Sequence, residues 1–280
     1  MVSPNHDTSS NAGQTNNAAF TKVVVLVDKD EVPFLVAVQC FLNLSPQLAT
    51  HVLTHLPTKK HVPAPGWSMD SVKEEAIVWE SMNIDTFRLL GEFQLRRDYD
   101  IPFPTQPIHQ GGGDSEARQS FAEHAQNINS VIMWSMWLSQ QKDSKIDCMV
   151  RPFFAEFLEE YGMAIISPNP PDVGTEHLLP HANLYFLARK FGIYGLDELA
   201  IRKLMVSLLR AHLTFDFAGA FAKLARYVFD NAKGDDDLKK RICKIRTLVV
   251  NLFIKHPEFE ALFLEVKEFA EETMYLRVPQ

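Results

Sequence analysis

The sequence has few cysteines, and their placement excludes the sites that paired cysteines build. Only Cys40, Cys148 and Cys243 occur among the 280 residues. No two of them have the short spacing of a zinc knuckle or the pattern of a disulfide ladder. Isolated thiols of this kind are typical of reducing compartments, so the cysteine usage favours an intracellular protein.

Long apolar runs are missing as well. The apolar run at residues 23–27 is far shorter than the roughly 20 residues that a membrane-spanning helix needs. Residues 1–20 are rich in Asn, Ser and Thr and lack the apolar centre of a secretion signal, so we expect a disordered tail there. These features predict a protein of the cytoplasm or nucleus that does not bind a membrane.

Positive charge is in the minority, with 28 Lys and Arg against 35 Asp and Glu and a formal net charge of -7. Such a chain has no general attraction for a nucleic-acid backbone, so we do not expect it to bind nucleic acid. One compact basic cluster spans residues 239–246. It is either a nuclear-import or anion-contacting segment or the charged face of an amphipathic helix. We favour the second, because the acidic residues 235–237 partly neutralise it.

Motifs for catalysis are also missing. The glycines at residues 111–113 are not followed by the Gly-Lys-Ser/Thr of a phosphate-binding loop, and the sequence contains no Gly-x-Ser-x-Gly elbow. His51 and His55 lie one helical turn apart, but Val52 occupies the place of the Glu that a zincin needs. The sequence therefore predicts no catalytic residue, no metal site and no cofactor, and we expect that the protein is not an enzyme.

The hydrophobic pattern of the first hundred residues predicts a mixture of strands and helices. Two apolar runs, residues 23–27 and 32–40, flank a polar turn and indicate a β-hairpin. The pair Ser45-Pro46 predicts the start of a helix. Residues 75–80 predict a further strand, and Asp85 is the expected cap of the helix that follows.

The second half of the chain has a helical pattern. Residues 181–205 carry two apolar stripes at helical spacing, with Gly192 and Gly195 in the break, and predict two helices folded back on each other. A DNA-binding helix-turn-helix is disfavoured, because Asp197 would lie where its recognition helix meets phosphates and bases. Further helices are predicted over residues 116–141, 152–161, 216–231, 236–255 and 258–275.

Three stretches resemble the BTB/POZ family. Residues 23–53, VVVLVDKDEVPFLVAVQCFLNLSPQLATHVL, look like the opening hairpin and first helix pair of that family. Residues 74–102, EEAIVWESMNIDTFRLLGEFQLRRDYDIP, are similar to its next strand, its Thr-Phe helix start and its Asp-Tyr exit. The segment that begins HANLYFLARKFGIYGLDELA at His181 is similar to the corresponding segment of fungal BTB-domain proteins.

The resemblance implies an α+β fold, in which a small mixed sheet is surrounded by helices. It implies a disordered tail at residues 1–20 and a BTB/POZ-like domain at residues 21–209. A helical insertion at residues 103–175 would lie within that domain, and an all-helical C-terminal region would occupy residues 210–280.

The resemblance also implies a protein-interaction module, acting as an adaptor for a cullin-type ubiquitin ligase or within a regulatory complex. Val72 and Glu74 match the apolar-x-Glu motif of the family's scaffold-contacting loop. Trp134 and Trp137 form an apolar patch for which packing on the core and docking of a partner both stay open. The alternative is a nuclear transcription-associated factor acting through the basic cluster. The oligomeric state also stays open.

Overall fold

The computed structural model describes residues 22–60, 75–101, 119, 130–133, 144–165 and 170–271. Contacts divide the chain into two units, Met1–Asp98 with Phe191–Tyr194, and Tyr99–Lys190 with Gly195–Gln280. The first unit holds a small mixed sheet, and the described residues of the second are mainly helical. The predicted α+β class is therefore confirmed at this level.

The domain limits predicted from the sequence differ from this division. The limit predicted between residues 209 and 210 lies inside the second unit. The tail predicted at residues 1–20 lies outside the described residues, as do many residues of the insertion predicted at 103–175. These domain limits stay predictions.

The strands of the first unit are β1 Lys22–Val27, β2 Val32–Ala37, β3 Thr58–Lys60 and β4 Glu75–Trp79. Their order is β2-β1-β4-β3. β1 pairs antiparallel with β2 and parallel with β4, and β3 pairs antiparallel with β4. Residues 24–27 of β1 are all buried, as expected of a strand that is covered on both faces. The predicted hairpin and the predicted strand at residues 75–80 are confirmed.

The helix α1, Val38–Leu44, begins where the sequence predicted strand. The prediction that the second strand runs to Cys40 is wrong, because the chain leaves the sheet after Ala37. A helical turn brings Phe41 and Leu44 to one side, where both side chains are buried. Burial of this pair explains why the apolar run continues beyond the end of the strand.

The helix α2, Pro46–Thr50, begins at the Ser45-Pro46 pair, as predicted. The Ser45 hydroxyl accepts a hydrogen bond from the N–H of Gln47 at 3.1 Å and donates one to the carbonyl of Phe191. This buried serine therefore caps α2 and also fixes Phe191, which belongs to the same unit.

The helix α3, Ile84–Arg96, is capped by Asn83, and the prediction that Asp85 caps it is wrong. The Asn83 side chain accepts hydrogen bonds from the N–H groups of Asp85 and Thr86 at 2.9 and 3.2 Å. Asp85 lies in the first turn instead, where its negative charge interacts favourably with the positive end of the helix dipole. Both residue types suit a cap, and only the position where the helix starts distinguishes them.

The main helices that follow α3 among the described residues are α4 Ser144–Tyr161, α5 Thr175–Phe191, α6 Leu196–Arg210, α7 Phe215–Asn231, α8 Asp237–Phe253, α9 Pro257–Glu265 and α10 Lys267–Glu271. The predicted break is confirmed, since Gly192 and Gly195 have φ values of 60° and 78°, which glycine adopts without strain. The helix predicted at 258–275 is interrupted by the extended residue Val266.

In the part of the chain that the structure describes, no helix combines the length and apolarity needed to cross a membrane.

Phenylalanine rings join the last four helices into one core. The ring centre of Phe253 lies 5.9 Å from that of Phe221 and 5.6 Å from that of Phe259. Phe259 in turn lies 5.8 Å from Phe269. These separations are those of favourable edge contacts between aromatic rings, so each of α7 to α10 contributes at least one ring to the same cluster.

A buried polar group in the second unit involves Tyr99, α5 and α6. The Tyr99 hydroxyl is hydrogen-bonded to Nδ1 of His181 at 2.7 Å, and both side chains are buried. Lys203 donates a hydrogen bond to the carbonyl of Tyr99. Burial lowers the pKa of His181 to about 3, and the electrostatic effects of Lys203 and His177 act in the same direction. The folded chain therefore keeps His181 neutral well into the acid range.

Acidification is expected to destabilise the fold through His181. An unfolded histidine has a pKa of about 6.5, whereas the folded value is about 3. Between these values the unfolded chain binds a proton that the folded chain does not. The contribution of His181 to the free energy of unfolding therefore falls by about 1.4 kcal/mol per pH unit below about pH 6.

Urea unfolding of the wild type and of His181→Asn between about pH 7 and pH 4 measures this contribution. The stability difference between the two proteins should shrink as the pH falls, because the asparagine does not titrate. A difference that stays constant across this range would contradict the assigned proton linkage.

Ser45→Ala is expected to lower the free energy of unfolding by about 2 to 3 kcal/mol, since it removes the cap of α2 and leaves the carbonyl of Phe191 without its buried donor. Asn83→Ala is the matched control, because it removes an exposed cap and should cost only about 1 kcal/mol. Chemical denaturation compares the two. Equal losses would show that the hydrogen bond to Phe191 contributes nothing.

Candidate protein-binding groove

The residues that the sequence selected for protein binding lie outside the described residues: Val72, Glu74, Trp134 and Trp137. Their roles stay predictions. Two residues of the same apolar stretch, Val131 and Ile132, are described, and both are buried. The candidate site on the described surface is a different one.

β2 and α1 form one wall of an apolar groove in the first unit. Leu35, Val36 and Ala37 of β2 line it together with Cys40 and Phe41 of α1. Phe41 is buried at the base of this wall, and Leu35 is 46% exposed at its edge. The turn from strand into helix at Val38 is what brings the two elements to the same side.

The helix α3 forms the other wall. Its lining residues, Phe87, Leu90, Gly91, Gln94 and Leu95, recur at helical spacing and therefore share one face. Phe87 and Leu90 are buried, whereas Leu95 is 79% exposed at the C-terminal end of the face. A single exposed leucine is ordinary on a protein surface. Here Leu35 and Leu95 line the same groove, so two exposed apolar side chains belong to one surface feature.

The chemistry of the lining favours binding over catalysis. Gln94 and Cys40 supply the polar side chains, and no charged residue is among the described residues that line the groove. Depletion of charge is typical of the centres of protein interfaces, where an unpaired charge would lose its hydration. The groove therefore offers apolar contact and one amide for hydrogen bonding.

The size of the groove suits large side chains of a protein. Its volume of about 230 Å³ exceeds the roughly 150 Å³ of a protein cavity that holds benzene. It is below the roughly 300 to 1,000 Å³ that is usual for small-molecule sites. One or two large apolar side chains of a partner therefore match it.

The histidines considered above as metal ligands make packing contacts. The rings of His51 and His55 are stacked with centres 5.9 Å apart. The His51 ring also lies 4.9 Å from that of Phe191 and 6.0 Å from that of Trp79. Within the described ranges, no group of three His, Cys, Asp or Glu side chains is placed to hold a metal ion.

The basic cluster at residues 239–246 lies on α8, which buries Ile242 and Ile245, so the predicted amphipathic helix is confirmed. Four of its cations contact carboxylates of the chain: Lys239 with Glu268, Lys240 with Asp235, Arg241 with Glu160, and Lys244 with Glu156. Arg246 is buried and donates a hydrogen bond to the carbonyl of Phe269. Cations already engaged with carboxylates present a weak positive field to an anionic partner.

The sequence reasoning missed Leu35, Gly91 and Leu95. Leu95 carried a local signal, since it is an apolar residue directly before Arg96 and Arg97 at the end of an amphipathic helix. The other two carried none, because a leucine in a strand and a glycine in a helix look alike whichever surface they face.

Comparison of the chain with protein-family models, with curated proteins and with solved structures finds no match in any of the three.

Proposed function

We propose that this chain is a protein-interaction module that binds a partner through the groove between β2, α1 and α3. The observation that carries the proposal is the pair of exposed leucines, Leu35 and Leu95, at the edges of an apolar, uncharged groove. Burial of such side chains at an interface is a main source of binding free energy. The proposed role is binding without catalysis.

A finer proposal is that the module is BTB/POZ-like and acts as an adaptor for a cullin-type ubiquitin ligase or within a regulatory complex. Its support is the element order of hairpin, two short helices, the strands β3 and β4 and the helix α3, followed later by a helix pair. The mixed sheet is compatible with it. Topology of this kind supports the fold more directly than the partner, so the groove and the cullin contact are tested separately.

The alternative, a nuclear transcription-associated factor acting through residues 239–246, has weaker support. Such a role requires cations that are available to an anionic partner. Among the cations of the cluster, Lys239, Arg241 and Lys244 have side chains that are at most 30% exposed, and each contacts a carboxylate. The pairing fits the charged face of a packed helix better than a contact surface.

The double substitution Leu35→Ser/Leu95→Ser is expected to weaken partner binding strongly. Each apolar anchor contributes about 1 to 3 kcal/mol when it is buried at an interface, so their joint loss weakens binding by well over tenfold. Affinity purification of the tagged chain, followed by quantitative mass spectrometry, compares the proteins retained by the wild type and by the variant. The supporting outcome is a set of proteins that is lost from the variant.

Leu264→Ser is the matched control, since Leu264 is 84% exposed on α9 and lies outside the first unit. It should retain the proteins that the double variant loses. Exposed substitutions of this kind usually change the free energy of unfolding by less than about 0.5 kcal/mol each, and thermal unfolding of all three proteins verifies that they fold. Equal losses in the control and the double variant would refute a specific role of the groove.

The cullin assignment predicts a second difference. Val72→Ala/Glu74→Lys should lose a cullin scaffold while it retains the proteins that depend on the groove, because a reversed charge opposes contact with a surface that accepts a carboxylate. The same purification measures both sets. Recovery of no cullin scaffold with the wild type would overturn the adaptor assignment and leave the groove proposal standing.

A further inference from the structure

We propose that the groove binds an amphipathic helix of a partner protein, which places a large apolar side chain over Gly91 and a carboxylate at Arg88. This inference rests on the proposed function and specifies the chemistry of the partner. It follows from a glycine that the described fold does not require, and from the distribution of charge beside the groove.

Gly91 lies in the middle of α3, where glycine is unfavourable. Relative to alanine, glycine destabilises the interior of a helix more than any other residue except proline. Gly192 is explained by its φ of 60°, and Gly219 by the His256 ring 3.1 Å from where a Cβ would lie. A Cβ on Gly91 would meet no atom within 4 Å in the part of the chain that the structure describes. Neither its backbone conformation nor packing among the described residues therefore accounts for this glycine.

A partner that approaches α3 closely does account for it. Gly91 lies on the groove-lining face, between Phe87 and Leu95. The absence of a side chain there keeps the centre of the groove open and exposes the helix backbone. Helices pack with axes about 8 to 10 Å apart, and small residues at the crossing point permit the shorter separation.

An added helix suits this groove better than an added strand. β2 lies at one edge of the described sheet, which is where a partner strand would pair. Pro33 lies in β2 and has no N–H group, a feature of edge strands that resist pairing. The open space therefore lies over a helix, beside an edge strand that contains a proline.

On α3, Glu92 is paired with Arg96 at 2.8 Å, whereas Arg88 is only loosely paired with Asp85, so Arg88 is the cation of these two pairs that is more available to an acidic partner. Arg88 lies three residues before Gly91 on the solvent side of α3, and its guanidinium is 3.9 Å from the carboxylate of Asp85, at the outer limit of an ion pair. Both side chains are largely exposed, so this pair is weak. Across the groove, Gln39 and Asn43 of α1 are neutral and hydrogen-bond to each other at 2.7 Å. A partner carboxylate beside the apolar face would therefore meet Arg88.

The test uses a displayed library of helical peptides of about four turns with one randomised face, selected against the full chain, and a companion library with a central proline that breaks the helix. We expect binders from the helical library alone, with large apolar residues at i, i+3 or i+4, and i+7, flanked by Asp or Glu. Gly91→Leu should weaken these peptides by about tenfold or more, because the added side chain occupies the space that they need.

Two further variants distinguish loss of the contact with the peptide from unfolding of the protein. Gly91→Ala should raise Tm by roughly 2 to 4 °C and change peptide affinity much less than Gly91→Leu, since alanine favours the helix and adds one methyl group. Arg88→Glu should weaken acidic peptides by about threefold to tenfold, and replacing their acidic residue by Lys should restore the affinity.

The outcomes distinguish this inference from the function on which it rests. Peptides that are lost with Leu35→Ser/Leu95→Ser but tolerate Gly91→Leu would overturn the helix over Gly91 and leave the groove proposal intact. Equal selection from the proline library, or no binder from the helical library, would also overturn the helix. Peptides that tolerate both variants would count against the groove itself.

Discussion

Burial of the strand β1 is the constraint on which the first unit depends. Its residues 24–27 are all buried, and it is hydrogen-bonded to β2 on one side and to β4 on the other. Val24 and Leu26 pack with Ala76 and Val78 on one face of the sheet. A strand buried on both faces needs cover from helices, because its apolar side chains point both ways. The helices of this unit therefore supply the cover that the apolar side chains of β1 require.

The direction of the strands accounts for the place of the groove. β1 and β2 are antiparallel and need only a tight turn, but β1 and β4 are parallel and need a long crossover connection. The helices α1 and α2 lie within that connection, and α3 follows β4 directly. α1 and α3 thereby line the same groove beside β2, the strand at the edge of the sheet. The groove is thus a product of the topology and has no motif of its own.

Elements with a strong hydrophobic period could be predicted, but some of their ends could not. The hairpin, the helix start at Ser45 and the break at Gly192 followed from apolar spacing and from residues with marked conformational preferences. The boundary at Val38 did not, because an apolar run is compatible with either a strand or a helix. The cap of α3 was misplaced by two residues for a related reason, since Asn83 and Asp85 are both good capping residues.

The sequence by itself determined the α+β class, the amphipathic character of α8 and the scarcity of reactive groups, because these properties depend on composition and on short-range period. Only the tertiary structure decided which surface is open. Gly91 lines a groove because α1 and α3 meet beside β2, and the cations of α8 are engaged because acidic residues distant in sequence contact them. Contacts between distant residues depend on how the elements pack, and local sequence patterns do not encode that packing.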